Sequence, residues 1–174
     1  PDDASDPVLS AWVHNALTDS LLVANQIYGR ERLSPDEADR FVKEQTRVGA
    51  LLGSDPMPAT ADDLSAWITE HPDAAPSQAM RDALDFLRNP PLDPSIKPAY
   101  LILQAAAVAT IPARIRSILG VSALPGAIQV GRASIGALRW AMGSSPSWKV
   151  ALVRTGAEIP DGLFKQPLPI DPPT

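Results

Sequence analysis

Asp6-Pro7-Val8-Leu9-Ser10-Ala11-Trp12-Val13-His14-Asn15-Ala16-Leu17-Thr18-Asp19-Ser20 is the stretch on which the fold turns. An aspartate directly before a proline marks a helix start. The carboxylate caps the first free amides, and proline occupies the first helical position, where its missing N–H is not needed. The pattern predicts a helix from Pro7 to about Tyr28, with Gly29 as a left-handed stop. At about 100° per residue, Leu9, Val13, Ala16, Leu17, Leu21, Ala24 and Tyr28 gather into an apolar face expected to turn towards the core. His14 stands at the edge of that face, beside Ser10, Leu17, Thr18 and Leu21. Asp19 projects about 140° away and cannot orient His14 from the same helix. If buried, Asp19 needs an arginine or a backbone donor.

Outward from this helix the punctuation continues. Ser34-Pro35-Asp36-Glu37 is a capping box, and Ala38, Phe41, Val48, Leu51 and Leu52 follow at helical spacing up to Gly53. A third helix follows Thr60 with Leu64, Trp67 and Ile68. A fourth, from about Ser77, carries Met80, Ala83, Leu84 and Leu87 and stops at Asn89-Pro90-Pro91. Pro98 to Ile111 is apolar nearly all round and reads as a buried central helix. Arg114 to Leu119 adds a short helix closed by Gly120. The stretch from Gly126 to Met142 forms the sixth main helix, with Gly131 and Gly136 small enough for close approach. Lys149 to Arg154 is open between helix and a short strand, and residues 160–174 read as an extended, proline-rich tail. The expected architecture is all-α: one helical domain, about six main helices at 7–28, 35–52, 61–71, 77–88, 98–111 and 126–142, and no internal boundary.

Composition narrows the function. The 174 residues, 45% of them hydrophobic, are enough for a sizeable core. A net charge of −5 argues against a nucleic-acid surface. With no cysteine, thiolate nucleophiles, disulfides and zinc-finger sites are excluded. The longest apolar run, Ala99 to Ile111, falls short of the roughly 20 residues that span a bilayer, so no transmembrane segment is expected and the expected location is cytoplasmic. No Gly-x-Ser-x-Gly elbow and no His-x-x-x-His pair occurs. The first-turn acids Asp36, Glu37, Asp39, Asp62 and Asp63 read as capping and solubility residues. Arg114, Arg116, Arg132 and Arg139 read as a solvated face or as partners for haem propionates or anionic lipid. His71, after Glu70 at a helix end, is expected to be exposed and without catalytic importance. That leaves His14. Read from the residues alone, it is either a half-buried histidine bonded to a backbone carbonyl or a ligand to a metal or cofactor.

The segment from Asp6 to Ser20 resembles the hallmark of the MpaB and rubber-oxygenase family of haem-b proteins. The likeness continues at Tyr28, Leu33-Ser34-Pro35 and Val48-Gly49-Ala50-Leu51-Leu52-Gly53. It returns at Pro58-Ala59-Thr60, Asn89-Pro90-Pro91-Leu92, Ile111-Pro112-Ala113-Arg114-Ile115-Arg116 and Leu119-Gly120. The resemblance implies an all-helical oxygenase domain with haem b as cofactor and His14 as the proximal iron ligand. It further implies dioxygen and an apolar substrate, isoprenoid chains in particular. Leu17 and Leu21 would pack against the macrocycle, and the second ring nitrogen of His14 would donate to an oxygen that fixes its tautomer. No catalytic residue is assigned. Relatives carry earlier helices, with an Arg followed four residues later by Thr or His on the distal side of the haem. This chain opens just before the proximal helix. Residues 1–174 are therefore expected to be the C-terminal part of the catalytic domain, with a separate N-terminal segment as partner and His14 in a half-pocket bordered by Leu17, Leu21 and Tyr28. The alternative function is a non-redox helical domain that binds an apolar ligand or a protein partner.

Overall fold

Residues 6–142 and 146–158 are described by a computed structural model. They form eight helices: α1 (Pro7–Tyr28), α2 (Pro35–Leu51), α3 (Ala61–Glu70), α4 (Gln78–Arg88), α5 (Lys97–Thr110), α6 (Ala113–Leu119), α7 (Ala127–Met142) and α8 (Pro146–Thr155). No strand occurs among the described residues, so the all-α expectation holds. Lys149 to Arg154, left open by sequence, is part of α8. The proline-rich stretch 160–174 lies outside the described residues. The chain divides into two compact units between Arg132 and Ala133, inside α7, where the sequence suggests no boundary.

The helix starts follow the local chemistry. Asp6 accepts from the amides of Val8 and Leu9 at 2.8 and 3.4 Å. Ser34 and Glu37 close a reciprocal capping box at the start of α2. Asp39 serves a different helix from its own, its carboxylate accepting from the first amide of α3, Ala61, at 2.8 Å. Gly120 closes α6 in the left-handed region at φ 63°. Gly29 does not do so for α1: its backbone is extended at φ −61°. Space is the reason for glycine there, since a Cβ would run into the Asn25 carbonyl.

The core of the first unit is small. Leu22, Ala38, Val42, Leu64 and Ile68 from α1, α2 and α3 meet at its centre, with Trp12, Ala16, Phe41 and Trp67 around them. Tyr28 ties α1 to α5 by donating to the Ala106 carbonyl at 2.8 Å. Gly131 of α7 fits the same corner, where a Cβ would lie 2.6 Å from that of Ala106 and 3.0 Å from the Tyr28 ring. Gly136, its partner in the sequence reading, meets nothing within 4 Å among the described residues.

Two expectations about faces are corrected. α5 is not a buried central helix: only Ala106 is buried along it, and Leu101, Ile102 and Leu103 are exposed. Being apolar all round shows only that no face is marked for water; the neighbours decide which face is covered. On α1 the burial is inverted. Val13, Leu17 and Leu21 are exposed, and the covered face carries Ala11, His14, Asn15, Thr18, Asp19 and Leu22.

The arginines read as a solvated face instead close helix ends. Arg114 donates to the Thr69 and His71 carbonyls at the end of α3, Arg116 to Ile111 after α5, and Arg132 to Ile27 in the last turn of α1. Each cation meets the negative end of a helix and satisfies carbonyls that no further turn would reach.

Candidate functional site

The loop between α2 and α3 is tied to α1 by several hydrogen bonds. Ser10 and Ser54 share a hydroxyl hydrogen bond of 2.7 Å, and the Asp55 amide donates to the Pro7 carbonyl at 3.2 Å. Asn15 donates its side-chain amide to the Pro56 carbonyl at 3.2 Å. From the other side Thr46 of α2 donates to the Pro58 carbonyl at 2.9 Å. A loop lacks a hydrogen-bond ladder of its own, so its buried carbonyls need donors from side chains. Asn15, nearly inaccessible to water, and Thr46 supply them.

His14 sits within this clasp, 9% exposed, with Nε2 2.9 Å from the Gln45 carbonyl of α2. A carbonyl can only accept, so Nε2 is the donor of this bond. The reading of His14 as a histidine bonded to a backbone carbonyl is thus met. The bond fixes the ring as the outer hydrogen bond of an axial ligand does, although here it engages Nε2, the nitrogen sterically freer to bind iron. Leu17 and Leu21, 58% and 53% exposed, follow one and two turns later on the uncovered side of α1. The α1 leucines do not line a closed pocket, and the Tyr28 hydroxyl is engaged with α5.

Three elements of this site escaped the sequence reading: the Gln45 carbonyl, Gly49 and Met57. Only Gly49 carried a signal, as a glycine inside an otherwise uninterrupted helix. A backbone carbonyl has no sequence signature, and Met57 reads as an ordinary loop residue.

Asp19 is 8% exposed on the covered face, and no hydrogen bond or ion pair reaches it among the described residues. The donor that the sequence reading required is not found. Burial alone raises its carboxyl pKa above the ordinary 3.8. The folded state therefore holds this proton more tightly than the unfolded chain, and the contribution to stability declines as pH rises from about 3.8 through the folded value. Asp19→Asn removes the titration. Urea unfolding between pH 4 and 7 should show the variant gaining on the wild type as pH rises, with a plateau gap of less than about 1 kcal/mol because the carboxyl keeps some access to water. A gap independent of pH would contradict this origin.

His71 departs from expectation as well. It is half-buried, and its ring packs edge-on against Trp12 and Trp67 at centroid distances of 4.8 and 4.6 Å. Nδ1 accepts from the Asp73 amide at 3.3 Å. The chain turns extended immediately after α3, which lays this ring back on the tryptophans. Among the described residues no three His, Cys, Asp or Glu side chains gather as a metal site. No described helix is long and apolar enough to cross a membrane.

An all-helical domain that presents one buried, carbonyl-anchored histidine beside an uncovered apolar helix face defines a class: a helical scaffold with a single imidazole at its site. The family model for the catalytic domain of the ER-bound oxygenase mpaB/B'/rubber oxygenase matches residues 2–142, and the chain belongs to that family. No curated protein and no solved structure matches it.

Proposed function

We propose that this chain is the proximal half of a haem-b-dependent oxygenase site, with His14 as the iron ligand. The observation that carries this reading is the placement of His14, a buried ring anchored to the Gln45 carbonyl at 2.9 Å beside the uncovered Leu17 and Leu21. An imidazole beside an uncovered apolar helix face is the kind of donor a haem takes. Leu17 and Leu21 are the side chains that would cover the macrocycle, because the fold leaves them uncovered next to His14. Haem b, when bound, supplies the activation of dioxygen. The residues of this chain hold the imidazole, fix its tautomer and keep water from the proximal side. Oxygenase family membership supports the reading.

An apolar substrate is supported by a second feature of the first unit. A groove of about 1100 Å³ runs between α4, α5 and the segment after α6, lined by Leu84, Leu87, Leu101, Val108, Ile111 and Leu124. Isoprenoid chains are the substrate class we favour.

Titration of the purified chain with haemin, followed in the Soret region, tests the cofactor. A saturable band at one equivalent is expected, and Leu17→Glu with Leu21→Glu should weaken binding at least tenfold by placing charge against the macrocycle. No shift of the haemin spectrum, with and without a supplied N-terminal segment, would favour the non-redox alternative.

A further inference from the structure

Gly49 lies one turn after Gln45 on α2, so the His14 ring rests on a single strip of that helix. Its Nε2 is held by the Gln45 carbonyl at 2.9 Å, and its Cδ2 faces Gly49. A Cβ at Gly49 would stand 3.0 Å from His14 Cδ2 and 2.8 Å from Met57 Sδ, and would overlap Met57 Cε. Real Cβ atoms do not approach sulfur that closely, so an added methyl must displace one of the two side chains. The backbone on both sides of Met57 is held. The carbonyl before it, Pro56, is held by Asn15, and the carbonyl after it, Pro58, is held by Thr46.

We propose that Gly49 and Met57 are positioning residues for His14: the notch at Gly49, closed by the Met57 thioether, fixes the rotation of the imidazole about its Cβ–Cγ bond. This rests on the reading of His14 as a ligand, though the geometry stands without it. Gln45 alone leaves the ring free to pivot about one hydrogen bond. The seat against Gly49 on the adjoining ring edge removes that freedom and keeps Nδ1 aimed away from α2. The clasp formed by Ser10, Asn15 and Thr46 holds the loop backbone that carries Met57. The polar face buried on α1 thereby acquires a purpose that packing alone would not require.

The test uses the chain without haem first, at one fixed pH. Two-bond proton–nitrogen correlation spectra of the His14 ring should show a single Nε2–H tautomer in the wild type. Gly49→Ala should replace it with a mixture of tautomers or ring orientations, with circular dichroism unchanged. Gly49→Ala combined with Met57→Ala should restore the single tautomer, because the sulfur no longer competes for the space. Met57→Ala alone, which opens the notch without adding bulk, should broaden the ring signals. With haem added, Gly49→Ala should lose tenfold to a hundredfold in affinity, the scale typical of residues that orient a ligand, and the double variant should recover part of it. A folded Gly49→Ala chain with the wild-type ring spectrum would overturn the proposal. If Gly49→Ala does not fold, sharp wild-type ring signals in Met57→Ala would overturn it equally. Haem-free spectra that change as expected in a chain that binds no haem would leave the positioning intact and remove the ligand reading instead.

Discussion

If His14 is the iron ligand proposed above, replacing it by alanine should return the Soret band of the haem-titrated chain to that of free haemin and reduce haem affinity by a hundredfold or more. The same change should destabilise the fold by about 1–2 kcal/mol, because the only side-chain hydrogen bond from His14 to α2 goes with it. An edge position on α1 read from sequence would suggest almost no such effect, but the ring is 9% exposed. His14→Gln separates the two consequences. Its side-chain amide can donate to Gln45, so stability should largely return while haem affinity stays lost. Haem absorbance and urea unfolding measured on the same samples decide the matter. An unchanged Soret spectrum in His14→Ala would exclude His14 as the ligand.

The largest effect on stability is expected at Leu64. It is 1% exposed, the centre of the cluster formed with Leu22, Ala38, Val42 and Ile68. Leu64→Ala removes buried methyl groups and leaves a cavity among helices tied to each other by few other buried side chains. A loss of about 3–4 kcal/mol follows from the range for buried leucines. Leu17→Ala is the matched control. With that side chain 58% exposed, truncation should change stability by less than about 0.5 kcal/mol in the absence of haem. Urea midpoints of the first unit's transition provide the comparison. Equal losses at the two positions would mean that α1 packs in solution by the face seen here uncovered.

These contrasts separate two kinds of information in the chain. Helix limits are local, and local chemistry was enough to place them. Asp6-Pro7, Ser34-Pro35-Asp36-Glu37, Thr60 and Ser77 cap their helices through their own side chains, and Gly53 and Gly120 take positive φ where helices end. These interactions involve residues two to four apart, so they can be read without knowing the fold. His14 was legible for the same reason, since its place on α1 needs only the helical repeat.

Which face of a helix is covered is not a local property. The α1 sequence offers an apolar stripe through Val13, Leu17 and Leu21 and a polar one through Asn15, Thr18 and Asp19, and hydrophobicity alone favours burying the first. Tertiary structure buries the second. The loop between α2 and α3 brings the Ser54 hydroxyl and the Pro56 carbonyl against α1, and the polar side chains of Ser10 and Asn15 meet them. The same holds for Gly29, whose need is room beside Asn25, and for the arginines, whose carbonyl partners lie on other helices. So the sequence by itself determined the helices, their ends and the one imidazole worth following. Only the tertiary structure decided that this imidazole is anchored by Gln45, seated on Gly49 and bordered by apolar side chains left uncovered, because each of these depends on groups more than thirty residues away along the chain.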